Sequence, residues 1–208
     1  MKSTHQITVD PVSGAQIAIG VMGSAALDYD DRLRQLCRKL GNAIVETGCC
    51  IITGACTGLP HETVLGVQEM GGRVIGISPA TNLREHIERY GSPYREYETM
   101  IYTGLGPMGR EMINIRSSDL IIIVGGRSGT LGEFAIAYDE GKLIGVLDHT
   151  GGIADVIPEI QGHIGKNTGA EVLRAPDPED LVKAMLARYL STEYSCPAKP
   201  RSHTVESQ

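Results

Sequence analysis

Residues 120–130 read LIIIVGGRSGT, an apolar run that stops at two glycines. A run of Leu, Ile and Val without alternating polar residues is typical of a strand that is covered on both faces. The glycines indicate a tight turn, and residues 131–140 continue with apolar residues at helical spacing. The stretch predicts a buried strand, a glycine-rich turn and a helix, in that order.

Outward from this stretch, the same order of strand, turn and helix recurs along the chain. Further apolar runs predict strands at residues 17–22, 49–53, 73–77 and 142–147. Helical spacing predicts helices at residues 30–46, 60–70, 108–117 and 177–190. Because strands that alternate with helices form a parallel sheet with right-handed crossovers, we expect a single α/β domain of Rossmann-like type with a doubly wound, mostly parallel sheet.

Polar segments set the limits of this domain. We assign a Rossmann-like nucleotide-binding domain to residues 17–190 and an N-terminal lead-in to residues 1–16. Residues 191–208, where prolines lie among polar residues, are predicted as a flexible C-terminal tail. Residues 78–100 are also polar and are predicted as an excursion from the core.

The composition of the chain excludes several classes of protein. With 41% hydrophobic and 21% charged residues among 208, the chain can bury a core and is not a disordered polymer. The formal net charge is -6, so a nucleic-acid backbone meets no global positive field and we expect no nucleic-acid partner. Apolar runs stay well below the roughly 20 residues that span a bilayer, so no membrane partner is expected.

Cysteine usage and the N-terminus indicate a reducing compartment. Residues 1–10 are polar and lack the apolar stretch of a secretion signal, which favours the cytoplasm. An odd number of cysteines favours buried thiols over disulfides, and the five are Cys37, Cys49, Cys50, Cys56 and Cys196. Paired CxxC or Cys/His spacings are absent, so we predict no metal site.

Candidate site residues come from three turns, because ligands of open parallel sheets bind beyond the carboxyl ends of the strands. The predicted phosphate-binding residues are Gly23 and Ser24 in the first turn, Gly54 and Gly58 in the second, and Gly125, Gly126, Arg127, Ser128, Gly129 and Thr130 in the third. In the third turn, glycines allow close approach and the following helix directs unpaired amides at an anion. A plain tight turn with a capped helix is the alternative. The lysine of the GxxxxGK[ST] phosphate loop is missing.

Two charged residues are candidates for catalysis. Glu133 follows the third turn and is predicted near its mouth, either as a catalytic carboxylate or as an ordinary partner of the helix dipole. Arg110, at the start of the preceding helix, either reaches the same mouth or lies on the surface. His61 and His86 are expected to be solvated rather than functional. Residues 90–102 either fold over the site or a second copy of the chain, where they could stack a base, or pack as a surface loop.

Taken together, these motifs resemble the Lonely Guy family, long labelled lysine decarboxylase. The helix that carries Arg110 and the sequence VGGRSGTLGE at residues 124–133 resemble the family's Arg helix and its PGGxGTxxE motif. The sequence TGACTGL at residues 53–59 resembles its glycine-rich loop, and GGRVIGI at residues 71–77 resembles its GGxVxG strand entry. The similarity runs from Ile17 to Leu147.

The resemblance implies a homodimeric Rossmann-like protein that binds a nucleoside 5'-monophosphate. Enzymatic members are phosphoribohydrolases, which cleave the N-glycosidic bond of AMP or a cytokinin nucleotide to free base and ribose 5-phosphate. By this resemblance the turn at residues 125–130 holds the 5'-phosphate, and Arg110 and Glu133 match the family's paired catalytic Arg and Glu. No metal or redox cofactor is implied.

The sequence also differs from the family's motifs. Val124 stands where the family has proline, GGRSGT is one residue longer than GGxGT, and Glu111 stands where lysine is usual. With these differences the chain resembles a branch that includes molybdenum cofactor carrier proteins. The alternative function is therefore a non-catalytic nucleotide sensor or a carrier of the molybdenum cofactor.

Overall fold

Parallel strands form one seven-stranded sheet in the computed structural model, which describes residues 7–11, 13–26 and 28–191. Along the chain the strands are β1 (Ala18–Gly23), β2 (Cys50–Thr53), β3 (Val74–Ser78), β4 (Thr99–Tyr102), β5 (Leu120–Val124), β6 (Leu143–Leu147) and β7 (Glu171–Ala175). The helices are α1 (Asp31–Glu46), α2 (Leu59–Glu69), α3 (Leu83–Glu88), α4 (Gly106–Arg116), α5 (Ser128–Asp139), α6 (Gly152–His163) and α7 (Pro178–Leu190).

The order of strands across the sheet determines where a ligand can bind. That order is β4-β3-β2-β1-β5-β6-β7, and every pairing is parallel. The chain builds outward from β1 in one direction and then outward from β5 in the other. Connections therefore leave these neighbouring strands on opposite sides, which opens a crevice beyond their carboxyl ends. The predicted doubly wound α/β domain is confirmed.

Apolar layers cover both faces of the sheet. One buried cluster joins strand residues such as Ile19 and Ile51 to Leu40 of α1 and Met185 of α7. A second cluster takes the alternate residues of β5, and it joins Ile121 and Ile123 to Phe134 of α5 and Ile157 of α6. All residues of β5 are buried, as the unbroken apolar run at residues 120–124 predicts. Burial of each such Leu, Ile or Val stabilises the fold by roughly 1.5–3 kcal/mol.

Acidic caps begin two of the helices near their predicted starts. The Asp30 side chain accepts a hydrogen bond from Leu33 N at the start of α1. The Asp177 side chain accepts from Glu179 N and Asp180 N at the start of α7. A carboxylate at this position satisfies backbone amides that have no partner within the helix and interacts favourably with the helix dipole. These caps confirm the sequence prediction for both helix starts.

Several elements differ from the predictions. Residues 78–100 do not simply leave the core, because they contain α3 and lead into β4, which pairs with β3 at the edge of the sheet. Helix α6 and strand β7 were also not predicted from the sequence. Strand β4 alternates exposed and half-buried residues, and β7 is mostly half-buried, so neither contains the long apolar run typical of a central strand. Helix α5 begins at Ser128, within the predicted turn.

The described part of the lead-in packs against the domain. Val9 and Gln16 form an antiparallel bridge, and the Tyr189 hydroxyl of α7 donates to Asp10 Oδ2 at 2.9 Å. The predicted tail lies beyond Ser191, outside the described residues, and its flexibility stays a prediction. Within the described ranges, no helix combines the length and apolarity needed to cross a membrane.

The described cysteines are free thiols. Cys37, Cys49 and Cys50 are buried, whereas Cys56 is half-buried. Burial raises the pKa of the Cys37 thiol to about 12 and that of the Cys49 thiol to about 11, so both are protonated at neutral pH. Cys196 lies outside the described residues.

Candidate functional site

A cleft of about 520 Å³ opens at the carboxyl ends of β1 and β5, where the connections diverge. The turns after β1, β2 and β5 contribute its rim, and α4 and α5 contribute its walls. Eight predicted site residues line it, namely Gly23, Ser24, Gly54, Arg110, Arg127, Gly129, Thr130 and Glu133. Four predicted site residues are not among its lining: Gly58, Gly125, Gly126 and Ser128.

Gly58 joins the first and second turns. Its φ of +92° lies in the region that favours glycine, and a Cβ there would lie 2.1 Å from Ser24 O. Ser24 O also accepts a hydrogen bond from Leu59 N at 3.0 Å. Gly58 therefore supports the rim of the cleft by holding two turns together, rather than by facing a ligand.

Gly125 and Gly126 close the third turn against the start of α6. Thr150 Oγ1 accepts from Gly125 N at 2.8 Å, so this amide is already paired. Ala154 N donates to Gly125 O and Ile153 N donates to Gly126 O, both at 3.0 Å. The backbone of these two glycines is thus used to fasten the turn, and the surface that faces the cleft begins at Arg127.

The first turn of α5 provides the predicted anion site. The helix begins at Ser128, and its N-cap residue Arg127 makes no side-chain capping hydrogen bond. Backbone amides at an uncapped helix N-terminus are available to a ligand, and the helix dipole favours an anion there. Gly129 and Thr130 line the cleft at this point. The exposed Arg127 guanidinium lies 3.7 Å from Asp28 Oδ1 across the mouth.

Arg110 lies at the floor of the cleft and is only 7% exposed. Its Nη1 is 3.7 Å from Glu133 Oε1, and its Nη2 is 3.6 Å from Cys56 Sγ. With the Asn114 amide turned so that its oxygen accepts, Arg110 Nη1 donates to Asn114 Oδ1 at 3.0 Å. Gly54 makes this position possible, because a Cβ there would lie 1.9 Å from Arg110 Nη1. The structure thus places Arg110 in the cleft and not on the surface.

Glu133 lies in the second turn of α5 and is also 7% exposed. Burial raises the pKa of its carboxyl to about 7, with Arg110 acting in the opposite direction and Glu111 raising it further. The carboxyl therefore exchanges its proton near neutral pH, as a general base or acid requires. Of the two alternatives for Glu133, this position inside the helix favours a functional carboxyl over a partner of the helix dipole.

Glu111 and Cys56 line the cleft but were missed by the sequence analysis. Glu111 is buried, and burial raises the pKa of its carboxyl. Glycines of α5 make room for it, since a Cβ at Gly132 would lie 3.2 Å from Glu111 Oε2. Its position within the second turn is a signal that could have found Cys56, whereas the local sequence gives no signal for Glu111.

The two histidines differ from the expectation that both are solvated. His86 is fully buried; its Nδ1 is 2.8 Å from Ser78 Oγ and its Nε2 is 2.9 Å from Pro93 O. His86 therefore fastens α3 to the end of β3 and to the following loop. His61 is half-buried, and burial lowers the pKa of its imidazole. Its ring stacks on Tyr97, with the centroids 6.5 Å apart.

Comparison with known proteins gives the family. The model described as the SLOG cluster4 family matches residues 16–182. The chain belongs to this family. An uncharacterized protein of Archaeoglobus fulgidus is 31% identical over 129 residues, which is 62% of this chain and 78% of that protein. The predicted Lonely Guy and lysine decarboxylase-like superfamily is confirmed.

Two solved structures extend the comparison of this SLOG cluster4 protein. The molybdenum cofactor binding protein of Rippkaea orientalis is 27% identical, with a TM-score of 0.69 over 84% of this chain and 98% of that one. The molybdenum cofactor carrier protein of Chlamydomonas reinhardtii is 28% identical, with a TM-score of 0.66 over 83% of this chain and 99% of that one. The predicted branch of the superfamily is therefore also supported.

Proposed function

We propose that the cleft binds a nucleoside 5'-monophosphate and hydrolyses its N-glycosidic bond to free base and ribose 5-phosphate. The observation that carries this proposal is the buried pair of Arg110 and Glu133, 3.7 Å apart on the floor of the cleft. A carboxyl whose pKa is about 7, held beside a guanidinium, is the kind of group that proton transfer near neutral pH requires.

The phosphate is assigned to the first turn of α5. Donors to an anion are supplied by the Thr130 hydroxyl, by the exposed Arg127 guanidinium and by amides of that turn that have no partner among the described residues. Anchoring at the phosphate holds the ribose between α5 and α4, which brings its anomeric carbon toward Glu133. Binding energy from this remote group then contributes to the reaction at the glycosidic bond.

The reaction breaks the bond between the ribose C1' and the base nitrogen, and the bonding electron pair leaves with the base. Positive charge develops on the ribose ring as the bond lengthens, and the ionised Glu133 carboxylate stabilises it. Glu133 accepts a proton from the attacking water as the new C1'–O bond forms, and the departing base takes a proton from solvent at the open mouth of the cleft, so one water is consumed overall.

Arg110 acts on Glu133 and on the ribose hydroxyls. Its guanidinium favours the ionised form of Glu133 and opposes the effect of burial on the pKa of that carboxyl. Contacts with Asn114 and Cys56 fix the plane of the guanidinium, so its remaining donors point in fixed directions. A lysine ammonium does not reproduce this planar set of donors.

A second candidate is a non-catalytic carrier of the molybdenum cofactor. It is supported by the two structural neighbours, whose own chains are matched over 98% and 99% of their length. The cofactor is a phosphate-bearing pterin, so the same α5 amides serve as its anchor. In this candidate Arg110 and Glu133 hold the cargo without turnover, and the homodimer implied by the family resemblance stays a prediction.

Base release separates the two candidates. The purified protein is incubated with AMP, GMP and related monophosphates, and free base and ribose 5-phosphate are resolved by chromatography. Glu133→Gln keeps the size of the side chain and removes its proton transfer, so we expect loss of base release with nucleotide binding retained. Exposed Glu88→Gln is the matched control and keeps full activity.

Each result has a definite meaning. Base release that disappears in Glu133→Gln supports the hydrolase. Absence of release from the unmodified protein, together with calorimetric binding of the molybdenum cofactor, supports the carrier and excludes the hydrolase. Base release that persists in Glu133→Gln contradicts the assigned chemistry.

A further inference from the structure

A second cavity of about 260 Å³ lies beside the cleft. It is lined by Thr57, His61 and residues 91–96. Thr57 also lines the cleft, and the Cys56 thiol on the cleft side interacts with the Ser92 side chain on the cavity side. A ligand anchored in the cleft therefore has a neighbouring space into which its far end can extend.

Two residues that line the second cavity each carry a buried polar atom with no hydrogen-bond partner among the described residues. The two atoms are Glu96 Oε2 and His61 Nδ1. Buried polar atoms are almost always paired in folded proteins, because an unpaired one loses its hydrogen bonds to water without replacement. The fold tolerates two such atoms on neighbouring residues of the cavity wall, and this points to a ligand that supplies both partners.

The walls of the second cavity suit a flat ring. The Arg95 guanidinium lies 5.6 Å from the centroid of the Tyr94 ring, and both residues line the cavity. The His61 ring is itself stacked on Tyr97. Aromatic and guanidinium planes are the surfaces on which heterocyclic bases stack in proteins.

The acceptor character of Glu96 restricts which ring can bind. An ionised carboxylate has only acceptor sites, so its partner must be an N–H or O–H donor. Guanine and pterins present a ring N–H beside an exocyclic amino group, and this pair of donors matches the two oxygens of a carboxylate. Adenine presents an amino group beside a lone pair at the corresponding edge, and hypoxanthine lacks the amino group. Burial lowers the pKa of His61, so its neutral ring is able to accept from or donate to another edge of the ligand.

We propose that the second cavity is a subsite for a 2-amino-4-oxopyrimidine ring, as found in guanine and in pterins, with Glu96 accepting from its ring N–H and amino group. This inference rests on the proposed function, because it takes the phosphate end of the same ligand to lie on α5. It changes the expected substrate of the cleft from AMP to GMP. The subsite suits a pterin cargo equally well, because guanine and pterins share the edge formed by the ring N–H and the amino group. Both candidate functions therefore use the same recognition of this edge.

Calorimetric titrations test the subsite in a Glu133→Gln background, in which nucleotide is not consumed. The ligands are GMP, IMP, AMP and ribose 5-phosphate; IMP differs from GMP only in lacking the 2-amino group. We expect GMP to bind roughly 10- to 100-fold more tightly than IMP or AMP, which is the range for hydrogen bonds to a charged group. Adding Glu96→Gln should remove this preference and leave the affinity for ribose 5-phosphate unchanged. The affinity for a phosphate ester of 6-hydroxymethylpterin is compared with that for GMP. The tighter of the two ligands shows whether the subsite prefers a pterin or a purine.

Glu98→Gln is the matched control, because Glu98 is two residues away, exposed, and paired with Arg73. It should keep the preference for GMP. Equal affinities for GMP, IMP and AMP, with ribose 5-phosphate still binding, would overturn the subsite and leave the proposed function standing. Failure of all four phosphates to bind would overturn the proposed function, and failure of the pterin ester to bind as well would overturn the subsite with it.

Discussion

Arg110 Nη1 lies 3.7 Å from Glu133 Oε1, and each residue is only 7% exposed. The two side chains come from helices that precede and follow β5, so the strand fixes the spacing between them. Burial raises the pKa of Glu133, whereas the Arg110 guanidinium lowers it. The charge of Glu133 near neutral pH therefore depends on how closely the guanidinium is held.

The first prediction concerns the pH dependence of the reaction. Glu133 acts in its ionised form, so kcat/KM for nucleotide hydrolysis should rise with pH and level off above a midpoint near the pKa of about 7. Glu111 raises the pKa of Glu133, so Glu111→Gln should move the midpoint to lower pH. Initial rates between pH 5 and 9, spanning about two pH units on either side of the midpoint, measure both profiles. An unchanged midpoint in Glu111→Gln would contradict the coupling of the two carboxyls.

The second prediction concerns stability. The pKa of Glu133 is raised from 4.5 to about 7 on folding, so the folded state binds more protons than the unfolded chain between these values. Stability should therefore fall as the pH rises through this window. Glu133→Gln removes the buried charge, so it should become more stable than the parent protein above pH 7, by about 3 kcal/mol, with little difference near pH 4.

Urea unfolding at a series of pH values measures this difference. Glu88→Gln changes an exposed carboxylate on α3 and should follow the parent protein at every pH. A constant difference between Glu133→Gln and the parent from pH 4 to 8, across the window in which Glu133 titrates, would show that Glu133 is not a buried titrating group.

The third prediction concerns the glycine beneath Arg110. A methyl group at Gly54 would lie 1.9 Å from Arg110 Nη1, so Gly54→Ala should displace the guanidinium. Turnover should fall on the order of 100-fold, as small misplacements at reacting groups do. The midpoint of the pH profile should also rise, because Glu133 loses its cation. Gly162→Ala is the control: a Cβ there has nothing within 4 Å, and its kinetics should not change.

The fourth prediction concerns the mouth of the cleft. Arg127 and Asp28 are exposed and 3.7 Å apart, so Asp28 competes with a phosphate for the guanidinium. Arg127→Gln should weaken nucleotide binding by about 2- to 5-fold, and Asp28→Asn should strengthen it by a similar factor. Both effects should shrink at high salt. Titrations of both variants with nucleotide at low and high ionic strength measure these changes in affinity. Changes of the same sign in the two variants would contradict the competition between Asp28 and the phosphate.

The fifth prediction concerns the anchor of the third turn. Thr150 Oγ1 accepts from Gly125 N and donates to Leu147 O, and the hydroxyl is buried. Thr150→Val keeps the shape and leaves both backbone groups without a partner, so it should destabilise the protein by about 1–3 kcal/mol. Thr150→Ser keeps the hydroxyl, so its loss of stability should be much smaller than that of Thr150→Val. Denaturant unfolding of the three proteins provides the comparison.

The central part of the fold was predictable because of how it is covered. Strand β5 is buried on both faces, so every residue had to be apolar and the sequence LIIIV is unambiguous. Edge strands have a weaker pattern, since one side of β4 is exposed and Thr99 and Ile101 lie there. Helix α6 contains Pro158 and begins at glycines, which is also why helical periodicity did not indicate it.

The candidate site was predictable only in part. Arg110 and Glu133 were found from their motifs, but Gly125 and Gly126 pack against the start of α6, which is distant in sequence. Glu111 was missed because a helix turns about 100° per residue, and local sequence gives no reason for two neighbouring residues to reach the same cleft. The glycines of α5 that make room for it are known only once the helices are packed.

The ion pair and the second cavity lie on separate stretches of the chain. Arg110 and Glu133 belong to one continuous unit of α4, β5 and α5, whereas the cavity is built from Thr57, His61 and residues 91–96. Ser92 interacts with the Cys56 thiol, which accepts from Arg110, so it is changes confined to residues 93–96 that leave this support of the ion pair in place. Exchange of residues 93–96 is thus a direct route to a redesigned ligand preference that keeps the same pair of charges.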